Sequence, residues 1–354
     1  MTSDPALILP PLFACLETLS LIARHLDPES FAEVMSAVGA PDARLRAARS
    51  QFSEAEAPDA VGGALLLSSG EALAAFNELR AALDGGDIRA VFKALRRTPR
   101  ALEALYPLAA AVPAVNSYFL DASLRSNSEA LARSMTAARE EETGVMHVAN
   151  EARTRGGYSL YVPETYTPER HWPLVVALHG GSGHGRSFLW SWLRDARSFG
   201  AILVTPTSSG NSLGSTWALM GDDNDTPNLA RIVAHVRERW NIDPQRILLP
   251  GMSDGGTFCY VSALESASPF THIAPVSATF HPMLLSMADA DRLQGLPVYL
   301  VHGRLDWMFA VDVARQAKAA LSAAGANVTY TEIDDLSHTY PREINAPMLE
   351  WLKG

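Results

Sequence analysis

The chain contains the segment Arg246-Ile247-Leu248-Leu249-Pro250-Gly251-Met252-Ser253-Asp254-Gly255-Gly256. Its first half is an apolar strand, and its second half has the pattern Gly-x-Ser-x-Gly. Glycines placed two residues before and two residues after a serine allow the backbone to turn sharply from a strand into a helix, which exposes the serine oxygen at the end of a sheet. The segment therefore predicts that Ser253 is a nucleophile, with an ordinary strand-to-helix turn as the alternative.

Two loops further along the chain carry the base and the orienting acid that a serine nucleophile requires. Asp306 follows the apolar strand predicted at 298–301, and His338 follows the last predicted strand, at 328–333. Because the carboxyl ends of parallel strands meet at one edge of a sheet, both loops are expected to lie beside Ser253. We predict that His338 is the general base and that Asp306 orients it. Asp334 and Asp335 are the alternative carboxylates, and capping of the next turn is their other interpretation.

A third loop supplies candidates for the donors that stabilise an oxyanion. The sequence His179-Gly180-Gly181-Ser182-Gly183 follows another apolar run. Glycines let backbone amides approach a ligand closely. We predict an oxyanion hole formed by the amide of Gly181 and the amide of Asp254, the residue after the nucleophile.

Composition restricts the class of protein. The chain has 354 residues, of which 47% are hydrophobic and 19% are charged, and its net charge is −10. This charge disfavours nucleic acid and anionic lipid as partners. No run of about 18 apolar residues predicts a membrane span, and the N-terminal sequence lacks the features of a signal peptide. The two cysteines, Cys15 and Cys259, are too few for a secreted disulfide framework, so we expect a cytoplasmic location.

The residue pattern changes near residue 140, which predicts two domains. Residues 1–140 are rich in Ala, Leu, Arg and Glu at helical spacing and predict an all-helical N-terminal domain, with Ser69 and Asp87 as helix caps. Residues 141–354 alternate short apolar strands with helical segments. Several strands are apolar at successive positions, which is typical of a parallel sheet covered by helices on both faces. We therefore predict a doubly wound α/β domain with a mostly parallel central sheet, and we expect Thr226 to cap one of its helices.

From about residue 144 to the C-terminus, the chain resembles an α/β-hydrolase-fold serine esterase. It is similar to the phospholipase/carboxylesterase and dienelactone-hydrolase-like group. The residues before the elbow strand, Asn241-Ile242-Asp243-Pro244-Gln245-Arg246, also resemble esterases related to polyhydroxybutyrate depolymerases and feruloyl esterases. The N-terminal helical region shares no such resemblance. The motifs that carry the likeness are His179-Gly180-Gly181, Gly251-Met252-Ser253-Asp254-Gly255-Gly256, His302-Gly303 through Asp306, and Ser337-His338-Thr339-Tyr340-Pro341.

Aromatic residues near these loops are candidates for an acyl or alcohol pocket, and core packing is an equal alternative for each of them. The candidates are Trp190, Trp217, Trp307 and Phe309.

The remaining polar residues favour structural roles. His179 and His302 each precede a glycine at a strand end and are expected to be hydrogen-bonded structural residues, whereas His184 is expected to face solvent. The acidic run 222–225 is expected to be a solvated turn, because it lacks the glycine and the distal glutamate of an EF-hand loop. No histidine and cysteine spacing indicates zinc, and the sequence predicts no cofactor.

These predictions combine into a serine carboxylic ester hydrolase that acts through an acyl-enzyme on a small-molecule ester. A serine peptidase or amidase of the same fold is one alternative. The other is an assembly protein on a hydrolase scaffold, in which the helical domain mediates association. For the helical domain itself, the candidate roles are a lid that restricts substrate access and a homo-oligomer interface.

Overall fold

The computed structural model describes residues 4–53, 59–127, 131, 135, 142–210, 217 and 223–354, and it describes only the backbone of Met287. The chain divides into two compact units, Met1–Ala137 and Ala138–Gly354. The predicted boundary at residues 140 and 141 and most of the helix expected over 127–138 lie outside the described residues.

The first unit is helical throughout its described part. Long helices α1 and α4 form its centre, where α1 packs against α3 and α4, and α4 packs against α5 and α6. Leu12, Leu16 and Phe76 are among the fully buried side chains of this core. The helices are α1 (Pro5–Arg24), α2 (Phe31–Val38), α3 (Asp42–Ser53), α4 (Ala60–Gly85), α5 (Ile88–Leu95), α6 (Arg97–Leu105) and α7 (Pro113–Tyr118), with 3₁₀ turns at Tyr106–Ala110 and Ala122–Leu124.

Of the two helix caps predicted in this unit, one is wrong and one is confirmed. Helix α1 begins at Pro5, where Asp4 accepts a hydrogen bond from the amide of Ala6, and it continues through both Pro10 and Pro11. The predicted cap at Ser69 is wrong: Ser69 is buried inside α4, and its hydroxyl bonds the Leu66 carbonyl one turn earlier. Propensity could not locate this start, because two adjacent glycines, Gly62 and Gly63, lower the helix propensity of the first turn of α4. The cap at Asp87 is confirmed by its hydrogen bond from the Arg89 amide.

By length and composition alone, helix α1 meets the criteria for a membrane span. An 18-residue window has a mean hydropathy of 1.9, and 39% of that window is buried inside the protein. The core helix of a soluble protein meets the same criteria, so α1 is weak support for a span. Among the described helices, α1 is the one that meets these criteria.

The second unit contains one eight-stranded sheet. The spatial order is β1-β2-β4-β3-β5-β6-β7-β8, in which the β1–β2 and β2–β4 pairs are antiparallel and the remaining pairs are parallel. This topology confirms the predicted mostly parallel α/β sheet. The strands are β1 (Gly144–Val148), β2 (Tyr158–Val162), β3 (Trp172–Val176), β4 (Ile202–Pro206), β5 (Ile242–Met252), β6 (His272–Val276), β7 (Pro297–Gly303) and β8 (Asn327–Ile333).

The central strands are buried on both faces, as their continuous apolar runs predict. All five residues of β3 and all five of β4 are buried. The helices that alternate with the strands are α8 (Gly185–Phe199), α9 (Asp225–Arg239), α10 (Asp254–Ala263), α11 (Met283–Met287), α12 (Ala290–Leu293), α13 (Val311–Ala323) and α14 (Asn345–Trp351), and a 3₁₀ turn spans Arg342–Ile344.

The start of α9 corrects one further prediction. Thr226 lies in the first turn of the helix and does not cap it. Asp223 instead accepts hydrogen bonds from the amides of Asp225 and Thr226, at 3.0 and 2.9 Å. Within the acidic run, Asp222 lies outside the described residues.

Candidate active site

The turn between β5 and α10 places Ser253 at the carboxyl edge of the sheet. Its backbone has φ 55° and ψ −119°, a region that residues with side chains rarely occupy. Holding such a conformation costs about 1–3 kcal/mol. Hydrogen bonds on both sides maintain it: the Met252 amide donates to the Leu178 carbonyl at 3.1 Å, and the Ser253 amide donates to the Val276 carbonyl at 2.9 Å. The neighbouring strands therefore fix the position of this serine.

Close backbone packing explains the two glycines of the motif. A Cβ atom on Gly255 would lie 2.6 Å from the His179 carbonyl oxygen and 2.7 Å from that of Leu178. A Cβ atom on Gly251 would lie against the Gly255 carbonyl oxygen. The turn thus closes only where side chains are absent on both sides of the serine.

Ser253, His338 and Asp306 form one chain of hydrogen bonds. The Ser253 Oγ lies 2.9 Å from His338 Nε2, and His338 Nδ1 lies 2.9 Å from Asp306 Oδ2 and 3.0 Å from Oδ1. All three residues are buried. Because an ionised carboxylate only accepts hydrogen bonds, His338 Nδ1 carries the hydrogen, and Nε2 is left to accept the serine proton. The sequence predicted these three residues, and the fold brings their side chains together.

Asp306 receives several hydrogen bonds besides the one from His338. The amides of Met308 and Phe309 donate to Oδ1 at 2.9 and 2.8 Å. Burial raises the pKa of Asp306, but the hydrogen bond and charge of His338 and the Phe309 amide outweigh burial, and the net pKa lies below its ordinary value of 3.8. The carboxylate is therefore ionised at neutral pH. Among the alternative carboxylates, Asp334 forms an exposed ion pair with Arg304 at 2.9 Å.

The loops that carry Asp306 and His338 are joined to each other beyond the ends of their strands. Strands β7 and β8 pair in parallel over their full length. The Arg304 amide then donates to the Ile333 carbonyl at 2.9 Å, and the Leu305 amide donates to the Leu336 carbonyl at 3.0 Å. These bonds fix the spacing between the carboxylate and the imidazole.

The glycine-rich loop after β3 lies directly against the serine. A Cβ atom on Gly180 would be 3.4 Å from the Cβ of Ser253, whereas Gly181 is exposed. The buried His179 shapes this loop: its Nε2 accepts from the Ser208 amide at 3.2 Å, and its Nδ1 lies 2.7 Å from the Gly180 carbonyl. Burial lowers the pKa of His179 to about 3, so its ring is neutral. His179 is thus a hydrogen-bonded structural residue, as the sequence predicts.

The four aromatic pocket candidates occupy different environments. Trp190 and Trp217 are only 4% and 2% exposed, which favours core packing for both. Trp217 stacks on Phe258 and donates its indole N–H to the His179 carbonyl at 2.7 Å. Trp307 and Phe309, in contrast, contact the ring of His338, with centroid distances of 6.2 and 5.2 Å.

Two polar residues in this region differ from the sequence prediction or were missed by it. His184 does not simply face solvent; it caps α8, and its Nδ1 accepts from the Arg186 amide at 3.2 Å. Arg155 was not singled out, yet it donates to the Gly183 carbonyl at 2.9 Å and to the Ser208 hydroxyl, and it thereby ties the glycine loop to the residues after β4. A lone arginine in a polar turn gives no sequence signal for this role.

Cys259 lies inside α10 and is fully buried, with its thiol near the carbonyls of Gly255 and Leu249. Burial raises the pKa of this thiol well above its ordinary value. The residue is a small buried side chain, as expected. Across the described residues, no group of three or more His, Cys, Asp or Glu side chains is arranged to hold a metal ion.

The chain is similar to known esterases and serine hydrolases. Residues 222–353 match the phospholipase/carboxylesterase family model. A bifunctional acetylxylan esterase/xylanase from Neocallimastix patriciarum is 30% identical over 151 residues, which are 42% of this chain and 21% of that protein. The chain thus spans about a fifth of the length of this curated relative.

Similar solved structures include a fluorophosphonate-binding serine hydrolase F from Staphylococcus aureus, with 14% identity and a TM-score of 0.49, covering 59% of this chain and 97% of that one. A ferulic acid esterase structure has 16% identity and a TM-score of 0.48, covering 59% of this chain and 95% of that one. The C-terminal unit has the mostly parallel sheet of an α/β-hydrolase fold, and over residues 222–353 it is similar in sequence to the phospholipase/carboxylesterase family.

Proposed function

We propose that this protein hydrolyses carboxylic esters through an acyl-enzyme on Ser253, with His338 as general base and Asp306 as the orienting acid. The observation that carries the proposal is the continuous hydrogen-bond chain from the Ser253 hydroxyl through the imidazole to the buried carboxylate. A base must lie within about 2.6–3.2 Å of the heavy atom that carries the proton it removes, and the distance of 2.9 Å from His338 Nε2 to Ser253 Oγ meets this condition.

The proposed reaction has two steps, acylation of Ser253 and deacylation by water. Ser253 Oγ attacks the carbonyl carbon while its proton passes to His338 Nε2. The bond between the carbonyl carbon and the alcohol oxygen then breaks, and the same proton moves to that oxygen. In the second half, water adds to the acyl carbon and gives a proton to His338, which returns it to Ser253 as the acyl bond breaks. The net products are an acid and an alcohol.

The amides of Gly181 and Asp254 are the proposed oxyanion donors. Asp254 is the first residue of α10, and the N-terminal end of a helix favours negative charge. A Cβ atom on Gly180 would lie 3.4 Å from the Ser253 Cβ, so the glycine loop passes beside this serine. The start of α10 and the glycine loop therefore support amide donors beside Ser253, where negative charge develops in the transition state.

Ester hydrolysis is favoured over amide hydrolysis by the comparisons. The matched family model describes phospholipases and carboxylesterases, and the curated relative is named for an esterase activity on acetylxylan. The substrate proposed for this chain is accordingly a small-molecule ester. A cytoplasmic location belongs to the same proposal and is supported by two free, buried cysteines.

The helical first unit is proposed to act as a lid or as a homo-oligomer interface. Its support is that the unit is compact in its own right, with a core of its own. Deletion of residues 1–137 tests both roles by the mass of the protein in solution and by its preference among esters of different acyl length. If neither measurement changes, both roles are wrong.

The central test is covalent labelling with a fluorophosphonate probe. The wild-type protein should be labelled and should cleave an activated ester, and Ser253→Ala should do neither. Asp306→Asn should be folded and should lose about four orders of magnitude in kcat, because the His338 tautomer is no longer fixed. A wild-type protein that neither reacts with the probe nor cleaves any activated ester would contradict the proposal.

A further inference from the structure

The loop after β7, residues 304–309, combines a buried acid with exposed apolar side chains; we name it the acid loop. Asp306 is 8% exposed, whereas Leu305, Trp307 and Met308 are 57%, 45% and 49% exposed. Of the large apolar side chains that are exposed in the described part of the chain, three therefore lie within four consecutive residues. Such a concentration at the edge of a candidate active site indicates a contact surface.

Trp307 connects this surface to the base. Its ring lies edge-on to the His338 imidazole, with a centroid distance of 6.2 Å and an interplanar angle of 73°. Phe309 also contacts His338, but it is less exposed, and its carbonyl lies 2.8 Å from the buried His302 ring. Trp307 is therefore the aromatic side chain that borders both the imidazole and open space.

The direction of proton transfer decides which part of an ester reaches Trp307. This step rests on the proposed function. His338 must give its proton to the leaving alcohol, so the alcohol oxygen lies within about 3 Å of Nε2 during the reaction. The carbon substituent on that oxygen then begins beside the imidazole ring, which Trp307 also borders at a centroid distance of 6.2 Å. The acyl group, which stays attached to Ser253, is not required to approach Trp307.

We propose that Trp307, extended by Leu305 and Met308, is the binding surface for the alcohol part of the ester, and that it selects apolar, ring-containing alcohols. Aromatic and aliphatic side chains bind apolar groups most favourably, because the contact removes apolar surface from water. A sugar alcohol would need polar partners for its hydroxyl groups. The one basic side chain of the acid loop, Arg304, is bound to Asp334 at 2.9 Å and to Glu332 at 3.5 Å.

The test uses three acetate esters, namely methyl acetate, benzyl acetate and 6-O-acetylglucose. All three give the same acetyl-enzyme, so their deacylation is identical, and differences in kcat/KM report acylation alone. The variants are Trp307→Ala and Trp307→Phe. Val148→Ala is the matched control, since Val148 is 37% exposed and lies on β1, at the opposite edge of the sheet from β7 and β8.

The wild-type enzyme should prefer benzyl acetate to both other esters. Trp307→Ala should lower kcat/KM for benzyl acetate about tenfold and leave methyl acetate within about twofold, and Trp307→Phe should restore most of the loss. Val148→Ala should change none of the three values. An equal loss for all three esters would mean that Trp307 positions His338 and would overturn the proposal, as would a preference for the sugar ester that survives Trp307→Ala.

Fluorophosphonate labelling separates this proposal from the proposed function. A wild-type enzyme that is labelled at Ser253 and hydrolyses all three acetates at similar kcat/KM contradicts only the alcohol surface. An unlabelled wild-type protein without activity on any of the three contradicts the proposed function itself.

Discussion

His302 Nε2 lies 3.4 Å from Asp306 Oδ2, and both side chains are completely buried. The same nitrogen lies 2.8 Å from the Phe309 carbonyl oxygen. Since both neighbours are acceptors, Nε2 carries a hydrogen, and it lies against the same carboxylate oxygen that His338 Nδ1 contacts at 2.9 Å. His302 Nδ1 has no hydrogen-bond partner among the residues that the structure describes. The residue therefore contacts the acid loop through one nitrogen only.

We expect His302 to be a positioning residue that acts through Asp306. His302→Leu should lower kcat about tenfold and leave KM unchanged, because the carboxylate loses a neighbouring N–H and the acid loop loses the hydrogen bond to the Phe309 carbonyl, while the exposed side chains of the loop are untouched. His302→Gln, which keeps an N–H donor, should recover most of the activity. Steady-state kinetics, with the melting temperature as a check on folding, measures the effect. Equal kinetics for His302→Leu and the wild type would contradict this role.

The two glycines at positions 63 and 255 should respond to alanine in opposite directions. Gly255→Ala should cost about 3 kcal/mol or more in the free energy of unfolding, because its Cβ would press on the backbone carbonyls of residues 178 and 179. Gly63 lies within α4 with no atom within 4 Å of an added Cβ. Gly63→Ala should therefore stabilise the protein by about 0.5–1 kcal/mol. Denaturant unfolding of the two variants measures both effects, and a tolerated Gly255→Ala would disprove the close packing.

Asp42 should stabilise the first unit in a pH-dependent way. It is 2% exposed and accepts hydrogen bonds from Arg80 at 2.9 Å and from Arg46 at 3.0 Å. The hydrogen bond from Arg80 lowers the pKa of Asp42 more than burial raises it, and Arg46 lowers it further. Because the folded pKa lies below the ordinary value of 3.8, the stabilisation is fully present above about pH 4 and is lost as the pH falls through the folded pKa.

Asp42→Asn should therefore lower the free energy of unfolding by about 2 kcal/mol at pH 7, and the difference from the wild type should shrink at pH 3. Urea unfolding at the two pH values measures this difference. The exposed Asp84 on α4 provides the control, since Asp84→Asn should change stability by less than about 0.5 kcal/mol. A difference for Asp42→Asn that stays constant down to pH 3 would rule out the ion pairs as its cause.

Neither cysteine should react with a thiol reagent in the native protein. Burial is the largest cause that raises the pKa of Cys15 to about 12, and the charge of Asp42 adds to it. Burial likewise raises the pKa of Cys259. The thiolate is the reactive form, so iodoacetamide at pH 8 should leave the native mass unchanged and add two groups in urea. Rapid modification of the native protein would show that one of these sites opens.

Sequence reasoning could predict the second unit well because its signals are local and repeated. Continuous apolar runs indicated buried parallel strands, and the loops that carry Ser253 and Asp306 directly followed such runs. The loop that carries His338 followed β8, which is more polar and only partly buried. The parallel order of β5, β6, β7 and β8 then places Ser253, Asp306 and His338 at one edge, which no single motif could specify. Their catalytic roles remain predictions.

Other features depended on tertiary contacts that the sequence does not encode locally. The start of α4 was placed nine residues too late at Ser69, because burial among neighbouring helices stabilises a segment with weak propensity. The role of Arg155 could not be predicted because its partners, Gly183 and Ser208, are distant in sequence. The environment of His184 could not be predicted because its partner, the Thr154 carbonyl, is also distant and lies in an irregular segment. For Trp190 and Trp217, an aromatic residue near a motif could not be distinguished from a core residue until burial was known.

The alternation of buried and exposed side chains in the acid loop has a consequence for evolution and for engineering. Asp306 anchors the loop through the backbone amides of Met308 and Phe309, so the shape of the loop depends on the carboxylate and not on the side chains beside it. Substitutions at positions 305, 307 and 308 should then leave the geometry of Ser253 and His338 unchanged. A library randomised at these three positions should be rich in active members, and a lineage can acquire a new substrate there without passing through an inactive ancestor.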